Sequence, residues 1–259
     1  MKERFHLVKS LSPWKKFSVA LWPSNGTRFC EIKFNLTGAV YFKEVKAIPW
    51  TPILIYLLSQ TIKSRPNFNQ FIRRYRHYTR ENIDIFYRIT LDKDTASSEG
   101  DSLWGHYLRG TQDQTPEAIY HQMLSGREKY SDKSHRYEKL QAIVSSLHPS
   151  VLVVFVKSLS FWMRMGMPFP IVSKIAFPSI SVSNNGSLDS PPAFPLLNPL
   201  TFAPVNINFG TITVENGITQ VTALAGFDHR IFDGQDLQLF IKEFHRQVEK
   251  LSRNSIVST

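Results

Sequence analysis

The sequence predicts an α/β domain in which helices cover a mixed or antiparallel β-sheet, a two-layer sandwich. Three features support this prediction: strand-like and helix-like segments alternate, two apolar segments flank Asn216-Gly217, and residues 234–251 carry apolar side chains at helical spacing. Hydrophobic residues make up 42% of the 259 residues and charged residues 20%, an ordinary globular composition. We expect one domain over residues 1–259, with a frayed tail after about residue 252.

The first quarter of the chain predicts one strand followed by two helices. Residues 30–36 alternate apolar and polar side chains, as a half-buried strand does. A short helix is expected from Thr37-Gly38 to about residue 47. Thr51-Pro52 predicts the start of a deeply buried helix, because a hydroxyl N-cap precedes a proline at the first helical position, and Arg65-Pro66 ends it.

The middle of the chain predicts paired strands, a loop and two helices. Residues 68–75 and 83–91 are expected to pair through a basic turn, and residues 92–112 read as a polar loop. Thr115-Pro116 opens a helical segment reaching about residue 147, and a second apolar helix covers about 149–165.

The last third predicts a strand, a hairpin and a final helix. Residues 180–183 read as a short strand followed by an Asn-rich turn, and a stiff proline-rich connection covers 187–204. Residues 205–214 and 218–227 are expected to form a hairpin. Asp233-Gly234 opens the last helix, whose apolar face consists of Leu237, Phe240, Phe244, Val248 and Leu251.

Composition excludes several classes of protein. Cys30 is the single cysteine, so an internal disulfide and a multi-cysteine metal site are excluded. The histidines show no metal-ligand spacing, and neither a phosphate-binding glycine loop nor a Gly-x-Ser-x-Gly elbow is present. No secretory signal is visible, and the most apolar stretch is interrupted by Lys157 and Arg164. We expect a soluble, cytoplasmic protein without a metal.

The net charge of the chain does not identify its binding partner. The chain carries 31 Lys and Arg against 21 Asp and Glu, a net charge of +10, which suits a nucleic acid, a membrane surface or a polyanionic small ligand. The densest basic run, residues 73–80, is either a solvated strand edge or part of an anion site. Nucleic-acid binding motifs are absent, so nucleic-acid binding rests on the charge alone, and no membrane association is expected.

The segment from Gly226 to Gly234 carries the strongest chemical pattern. It places His229 at a strand end and Asp233-Gly234 at the start of a helix. Histidine suits general-base catalysis because its pKa lies near neutral pH, and an aspartate suits the positive end of a helix dipole. A glycine there permits a close approach or a backbone conformation that a side chain would obstruct. The alternative is a buried histidine that caps a strand.

This pattern resembles the His-x-x-x-Asp-Gly signature shared by chloramphenicol acetyltransferase and the catalytic domain of dihydrolipoamide acyltransferases, the core subunits of 2-oxoacid dehydrogenase complexes. Residues 228–234, Asp-His-Arg-Ile-Phe-Asp-Gly, are similar to the dihydrolipoamide acyltransferase version. Residues 181–186, Ser-Val-Ser-Asn-Asn-Gly, resemble the strand and turn of the same family, and residues 201–205 are closer to chloramphenicol acetyltransferase. The resemblance spans roughly residues 5–252.

The resemblance implies acyl transfer from a coenzyme A thioester without a covalent enzyme intermediate. His229 would take the proton of a hydroxyl or thiol acceptor, and Ser183 would donate a hydrogen bond to the oxyanion. The two groups would meet across a subunit interface, which implies a homotrimer or a larger assembly built from it. The acceptor would be a lipoyl-bearing protein or a small molecule. Seen alone, Ser183 also fits a turn-forming serine.

The remaining implied site residues have structural roles. The resemblance places Asp233 in the catalytic centre, paired with a basic residue near the N-terminus. Lys16 stands where the family carries an arginine, and a lysine cannot form the bidentate pair that an arginine forms. Asn184, Gly186 and Gly234 would shape the site. Ile207 stands near a position where some relatives carry a hydroxyl, so the acceptor pocket is expected to differ.

No lipoyl or subunit-binding domain is expected in this chain. A catalytically inactive trimeric scaffold or binding subunit that retains the fold remains the alternative to an enzyme.

Overall fold

A computed structural model gives the fold and describes residues 5–7, 27–73, 76–90, 103–132, 148–165, 178–194 and 203–257. Nine strands are assigned in these ranges: β1 Phe5–Leu7, β2 Thr27–Asn35, β3 Gln70–Arg73, β4 Arg76–Arg80, β5 Ile85–Thr90, β6 Leu103–Leu108, β7 Ile180–Asn184, β8 Val205–Glu215 and β9 Ile218–Asp228. The helices are α1 Thr37–Lys46, α2 Trp50–Ser64, α3 Pro116–Asp132, α4 Pro149–Arg164 and α5 Gly234–Val257.

The larger sheet has six strands in the order β2-β9-β8-β7-β5-β6. Strands β5, β7 and β8 run parallel to one another, whereas the β2–β9, β8–β9 and β5–β6 pairs are antiparallel. A separate three-stranded sheet has the order β1-β4-β3 and is wholly antiparallel. The predicted α/β class with a mixed sheet is therefore confirmed.

Helices α1 and α2 each pack against α5, and this helical layer meets the large sheet where α5 contacts β2 and α1 contacts β9. The apolar spacing of α5 directs Phe240, Phe244, Val248 and Leu251 into the core. The rings of Phe34 on β2 and Phe244 lie 4.2 Å apart, centroid to centroid. The layer therefore packs against β9, the strand that His229 follows.

The predicted hairpin and final helix are confirmed. Strands β8 and β9 pair from Val205–Phe227 to Glu215–Ile218, with an irregularity between Phe209 and Ile212, and Asn216 and Gly217 form the turn with positive φ angles of 51° and 77°. Helix α5 continues to Val257.

The predicted pairing of residues 68–75 with 83–91 is wrong. Strand β3 pairs with β4, and β5 instead joins the large sheet beside β7 and β6. The physical reason is that the side chain of Asn69 binds the chain where β4 ends. Its Nδ2 donates to the carbonyl oxygens of Arg80 and Asn82, both at 3.0 Å. The chain then leaves the small sheet and enters the large one.

The predicted loop over residues 92–112 contains strand β6. Within this strand Gly105 lies opposite Arg88, and a Cβ atom at Gly105 would stand 2.0 Å from the ring of Phe86. A glycine inside a short segment weakens a strand prediction, but here it makes room for the Phe86 ring.

The predicted helix boundaries are close to those observed. Helix α3 begins after Thr115 as expected, whereas its predicted extension over 133–147 lies outside the described residues. Helix α2 begins at Trp50, with Pro49 as its N-cap, so Thr51 is not the capping residue. The Thr51 hydroxyl instead accepts a hydrogen bond from Asn184.

Candidate functional site

The segment after β9 forms a tight turn that holds His229 in place. The backbone N–H groups of Ile231 and Phe232 both donate to the carbonyl oxygen of Asp228 at 2.9 Å. The Ile231 and Phe232 side chains are buried in the core, and the Phe232 ring packs 5.8 Å from that of Phe68. His229 precedes these two buried side chains and is itself half-buried.

One hydrogen bond determines the tautomer of His229. Its Nδ1 atom lies 2.9 Å from the carbonyl oxygen of Phe232, an oxygen that can only accept. Nδ1 must therefore carry the proton, and in the neutral ring the basic lone pair lies on Nε2. This is the form of the imidazole that a general base requires.

An ion pair flanks the histidine, and the sequence analysis did not identify it. Arg230 Nε donates to Asp228 Oδ1 at 2.8 Å, and Arg230 Nη2 donates to Asp228 Oδ2 at 2.5 Å. The backbone N–H of Arg230 also donates to Asp228 Oδ1 at 3.0 Å. The sequence signal for this ion pair is the presence of oppositely charged residues on either side of His229. The pair constrains the backbone on both sides of the histidine.

Asp233 acts as the N-cap of α5. Its Oδ1 accepts hydrogen bonds from the backbone N–H groups of Gln235 and Asp236, both at 2.9 Å, and Asp236 Oδ2 accepts from the Asp233 N–H at 3.1 Å. The expected place of Asp233 at a helix start is confirmed, whereas its expected partner Lys16 lies outside the described residues. In this geometry Asp233 positions the neighbouring Phe232 carbonyl, and through it His229.

We expect Asp233→Ala to lower the free energy of unfolding by about 1 kcal/mol, because two helix N–H groups lose their acceptor. Asp233→Asn is the matched control, since asparagine caps helices as well as aspartate does. Urea denaturation of both variants measures the difference. Equal stability of the alanine variant and the wild type would contradict the capping role.

Gly234 is not required by the fold of the single chain. Its φ angle is not positive, and a Cβ atom there would meet no described atom within 4 Å. The expectation that a side chain at Gly234 would obstruct the backbone is therefore wrong for the chain by itself.

Ser183 lies near the end of β7, where the strand meets a turn. Asn184 Nδ2 donates to the Thr51 hydroxyl at 2.8 Å and so connects this strand end to the start of α2. The Ser187 hydroxyl donates to the Asn184 carbonyl oxygen at 2.8 Å and closes the turn that follows. These bonds hold the backbone on the C-terminal side of Ser183.

Gly186 is required by close backbone packing. A Cβ atom on Gly186 would lie 2.1 Å from the carbonyl oxygen of Gly210, at the irregularity of β8. Gly210 in turn leaves no space for a side chain, because its Cβ would lie 2.4 Å from Pro192 Cδ. The turn after Ser183 thus rests directly on the β8 backbone, and the expected structural role of Gly186 has a physical basis.

We expect Gly186→Ala to lower the free energy of unfolding by about 1–3 kcal/mol, because the new methyl group overlaps backbone that cannot move aside cheaply. Gly234→Ala is the matched control and should leave stability unchanged or slightly raised, since alanine favours helix. Thermal unfolding of the two variants measures the contrast. Equal melting temperatures would show that the turn does not need a glycine.

The fold of one chain does not bring Ser183 and His229 together. Ser183 is in register with Asn208, which is in register with Leu224 on β9, and β9 runs four residues further before His229 follows. Strand geometry separates the two backbones by about 16 Å along the strands and about 10 Å across them. Their side chains cannot bridge that distance within one chain.

The side chain that shares the sheet face of Ser183 is Asn208 and not Ile207. Ile207 is buried in the apolar core, on the face covered by helices. Successive residues of a strand point to opposite faces, so Asn208 lies on the face of Ser183 and directly beside it. The expected effect of Ile207 on an acceptor pocket is not supported by this placement.

Two further properties bear on the class of protein. Among the described residues, no group of three or more His, Cys, Asp or Glu side chains is placed to hold a metal ion. No helix in the described ranges is long and apolar enough to cross a membrane.

Comparison with known proteins gives similarity at the level of structure. No family model and no curated protein matches the chain. A probable dihydrolipoamide acetyltransferase from Listeria monocytogenes superposes with a TM-score of 0.57 at 16% identity, covering 94% of each chain. The dihydrolipoamide acetyltransferase of Azotobacter vinelandii gives 0.61 at 12% identity, over 96% of this chain and 94% of its own.

A chloramphenicol acetyltransferase gives a TM-score of 0.58 at 11% identity, over 95% of this chain and all of its own. At these identities the similarity shows the fold alone. The chain has the acyltransferase fold shared by dihydrolipoamide acetyltransferase catalytic cores and chloramphenicol acetyltransferase, as the sequence motifs predicted.

Proposed function

We propose that this protein is a coenzyme A-dependent acyltransferase in which His229 is the general base and Ser183 the oxyanion donor. The observation that carries the proposal is the hydrogen bond from His229 Nδ1 to the Phe232 carbonyl, which leaves the basic lone pair on Nε2. The same histidine motif lies on a fold shared with acyltransferases.

The reaction follows from these roles. His229 Nε2 takes the proton of an acceptor hydroxyl or thiol, and the acceptor atom attacks the carbonyl carbon of the acyl thioester. The negative charge that develops on the carbonyl oxygen accepts a hydrogen bond from the Ser183 hydroxyl. The carbon–sulfur bond then breaks, and the departing thiolate of coenzyme A takes the proton back from His229.

The active unit is an oligomer in this proposal, because Ser183 and His229 of one chain lie too far apart to share a substrate, and a homotrimer is the oligomer that the sequence resemblance implies. A neighbouring copy then supplies Ser183 to the His229 of the first, and rotational symmetry repeats the site around the assembly. Close approach of a neighbouring chain or substrate also accounts for a glycine at position 234 that the single chain does not need.

The acyl acceptor is either a dihydrolipoyl group on another protein or a small molecule. Both present a thiol or hydroxyl that His229 can deprotonate. Transfer of the acetyl group from acetyl-CoA to dihydrolipoamide, compared with transfer to a panel of small alcohols, separates the two classes of acceptor.

Calorimetric titration with coenzyme A and with acetyl-CoA tests the class of co-substrate. We expect both to bind the wild type and the His229→Ala variant, since the imidazole acts on the acceptor proton and not on the nucleotide. His121→Ala, which removes an exposed histidine on α3, is the matched control. Absence of binding to every form would contradict the proposal and favour a non-catalytic scaffold.

A further inference from the structure

Helix α4 exposes large apolar side chains along one face. Val154 is 67% exposed, Phe155 61% and Phe161 54%, whereas the apolar face of a helix in a globular protein normally points into the core. Apart from Val153, the exposed apolar side chains of this segment fall within one sector of the helix about 120° wide. We call this set the apolar stripe, and its members are Val151, Val154, Phe155, Phe161, Trp162 and Met165.

The other side of α4 packs against the protein. Ser160 lies on the side of the helix opposite the stripe and is buried, and among the described elements α4 makes its main contact with β3. The Met165 N–H donates to the Phe161 carbonyl oxygen at 3.0 Å, so the helical turn and the stripe continue to Met165. The protein therefore holds the helix from one side, and the stripe faces outward. A contiguous exposed apolar patch of this kind marks an interaction site.

The chain around the stripe is positively charged. Residues 139–188, which include α4, contain four Lys and Arg and no Asp or Glu, and Lys157 of α4 is exposed. Strand β3, against which α4 packs, leads into the basic run over residues 73–80. In that hairpin Arg73 lies directly opposite Arg76, and like charges in this position destabilise a strand pair. An anionic partner beside α4 would relieve this repulsion.

The two properties together identify the partner. A second copy of the stripe would bring another basic helix, with no acidic residue to pair with its lysine and arginine. An anionic lipid surface offers an apolar layer for the stripe and phosphate groups for the basic residues. Phenylalanine and tryptophan are also the side chains that favour the boundary between headgroups and acyl chains.

We propose that α4 lies along the surface of an anionic lipid bilayer, with the apolar stripe at the acyl-chain boundary and Lys157 and Arg76 at the headgroup phosphates. The sequence analysis expected no membrane association, because Lys157 and Arg164 interrupt the apolar stretch. That interruption argues against a spanning helix, whereas a helix that lies in the interface needs one apolar face only. The inference is independent of the proposed acyltransferase function.

Vesicle flotation with the whole chain tests this inference. We expect the wild type to bind phosphatidylcholine vesicles that contain about one third phosphatidylglycerol, and to bind pure phosphatidylcholine vesicles at least about 10-fold more weakly. The double variant Phe155→Ser/Phe161→Ser should bind the anionic vesicles at least about 10-fold more weakly than the wild type, because two apolar side chains no longer enter the lipid. Arg76→Gln should weaken binding about 5-fold.

Two matched variants control for exposed apolar area and for net charge. Phe194→Ser removes a similarly exposed phenylalanine whose ring contacts Phe29 on the β2 edge of the large sheet. Lys250→Gln removes an exposed charge on α5. Both variants should bind the anionic vesicles within about 2-fold of the wild type. Unfolding temperatures of all variants should match that of the wild type, since each substitution is at an exposed position.

The fluorescence of Trp162 reports whether the stripe itself enters the lipid. Its contribution is the difference between the wild type and Trp162→Phe. Anionic lipids with brominated acyl chains should quench this difference signal, because the ring then lies at the acyl-chain boundary. In the vesicle-free protein, iodide should quench it instead.

Four results would overturn the inference. The first is a wild type that does not bind the anionic vesicles, and the second is binding that the double variant does not weaken. The third is a vesicle-free protein in which Trp162 is shielded from iodide, because another part of the chain then covers the stripe. The fourth is a double variant that lowers the molecular mass in sedimentation, because the stripe is then a contact between copies.

Discussion

Replacing His229 with alanine should lower kcat by about 10²–10⁴-fold, the usual contribution of a positioned general base. The loss falls on kcat and not on the KM for acetyl-CoA, because Nε2 acts on the acceptor proton. The fold should persist, since Ile231 and Phe232, and not His229, anchor the turn in the core. Steady-state kinetics with an acceptor identified by screening, together with thermal unfolding, measure both effects.

A second histidine variant is the control for this prediction. His121→Ala should keep the wild-type kcat, because this histidine is exposed on α3. Near-wild-type turnover by His229→Ala would remove His229 from the chemistry. The Phe232 carbonyl would then hold an imidazole with a purely structural role.

Replacing Ser183 with alanine should lower kcat by about 10²–10³-fold, as removal of one oxyanion donor does. The effect should appear at saturating acetyl-CoA, since the hydrogen bond strengthens as charge develops on the carbonyl oxygen. Stability should change little, because the neighbouring Asn184 and Gly186 hold the turn.

Ser125→Ala is the matched control for Ser183. Its hydroxyl only donates to the Gln122 carbonyl within α3, so kcat should stay at the wild-type value. A Ser183→Ala variant that keeps full turnover would leave the oxyanion without its expected donor and assign the serine to the turn.

Local signals predicted the C-terminal third of the fold well. An Asn-Gly turn fixes the β8–β9 hairpin, because both turn residues need positive φ angles, and apolar spacing fixes the buried face of α5. The β3–β4 hairpin and strand β6 depended on non-local contacts. The bonds from Asn69 to distant carbonyl groups and the fit of the Phe86 ring over Gly105 have no local sequence signature.

The functional site could likewise be predicted only where a local sequence pattern defines it. The pattern Asp233-x-x-Asp236 is a local capping signal, so its place at a helix start was accessible from the sequence. The placement of Asn208 beside Ser183 arises from their register on parallel strands, and the long connection between β7 and β8 does not encode that register. The distance between Ser183 and His229 likewise follows only from the strand order.

Mixing two inactive variants tests the central claim most directly. Chains carrying Ser183→Ala and chains carrying His229→Ala, co-expressed with different tags and purified as mixed oligomers, place an intact histidine beside an intact serine of a neighbour at some interfaces. In purified mixed trimers we predict that about one third of the sites regain wild-type turnover, because each mixed ring contains one junction with both residues intact, whereas each variant alone keeps only its residual activity. Mixed oligomers as inactive as the parent variants would contradict a catalytic site shared between copies of this chain.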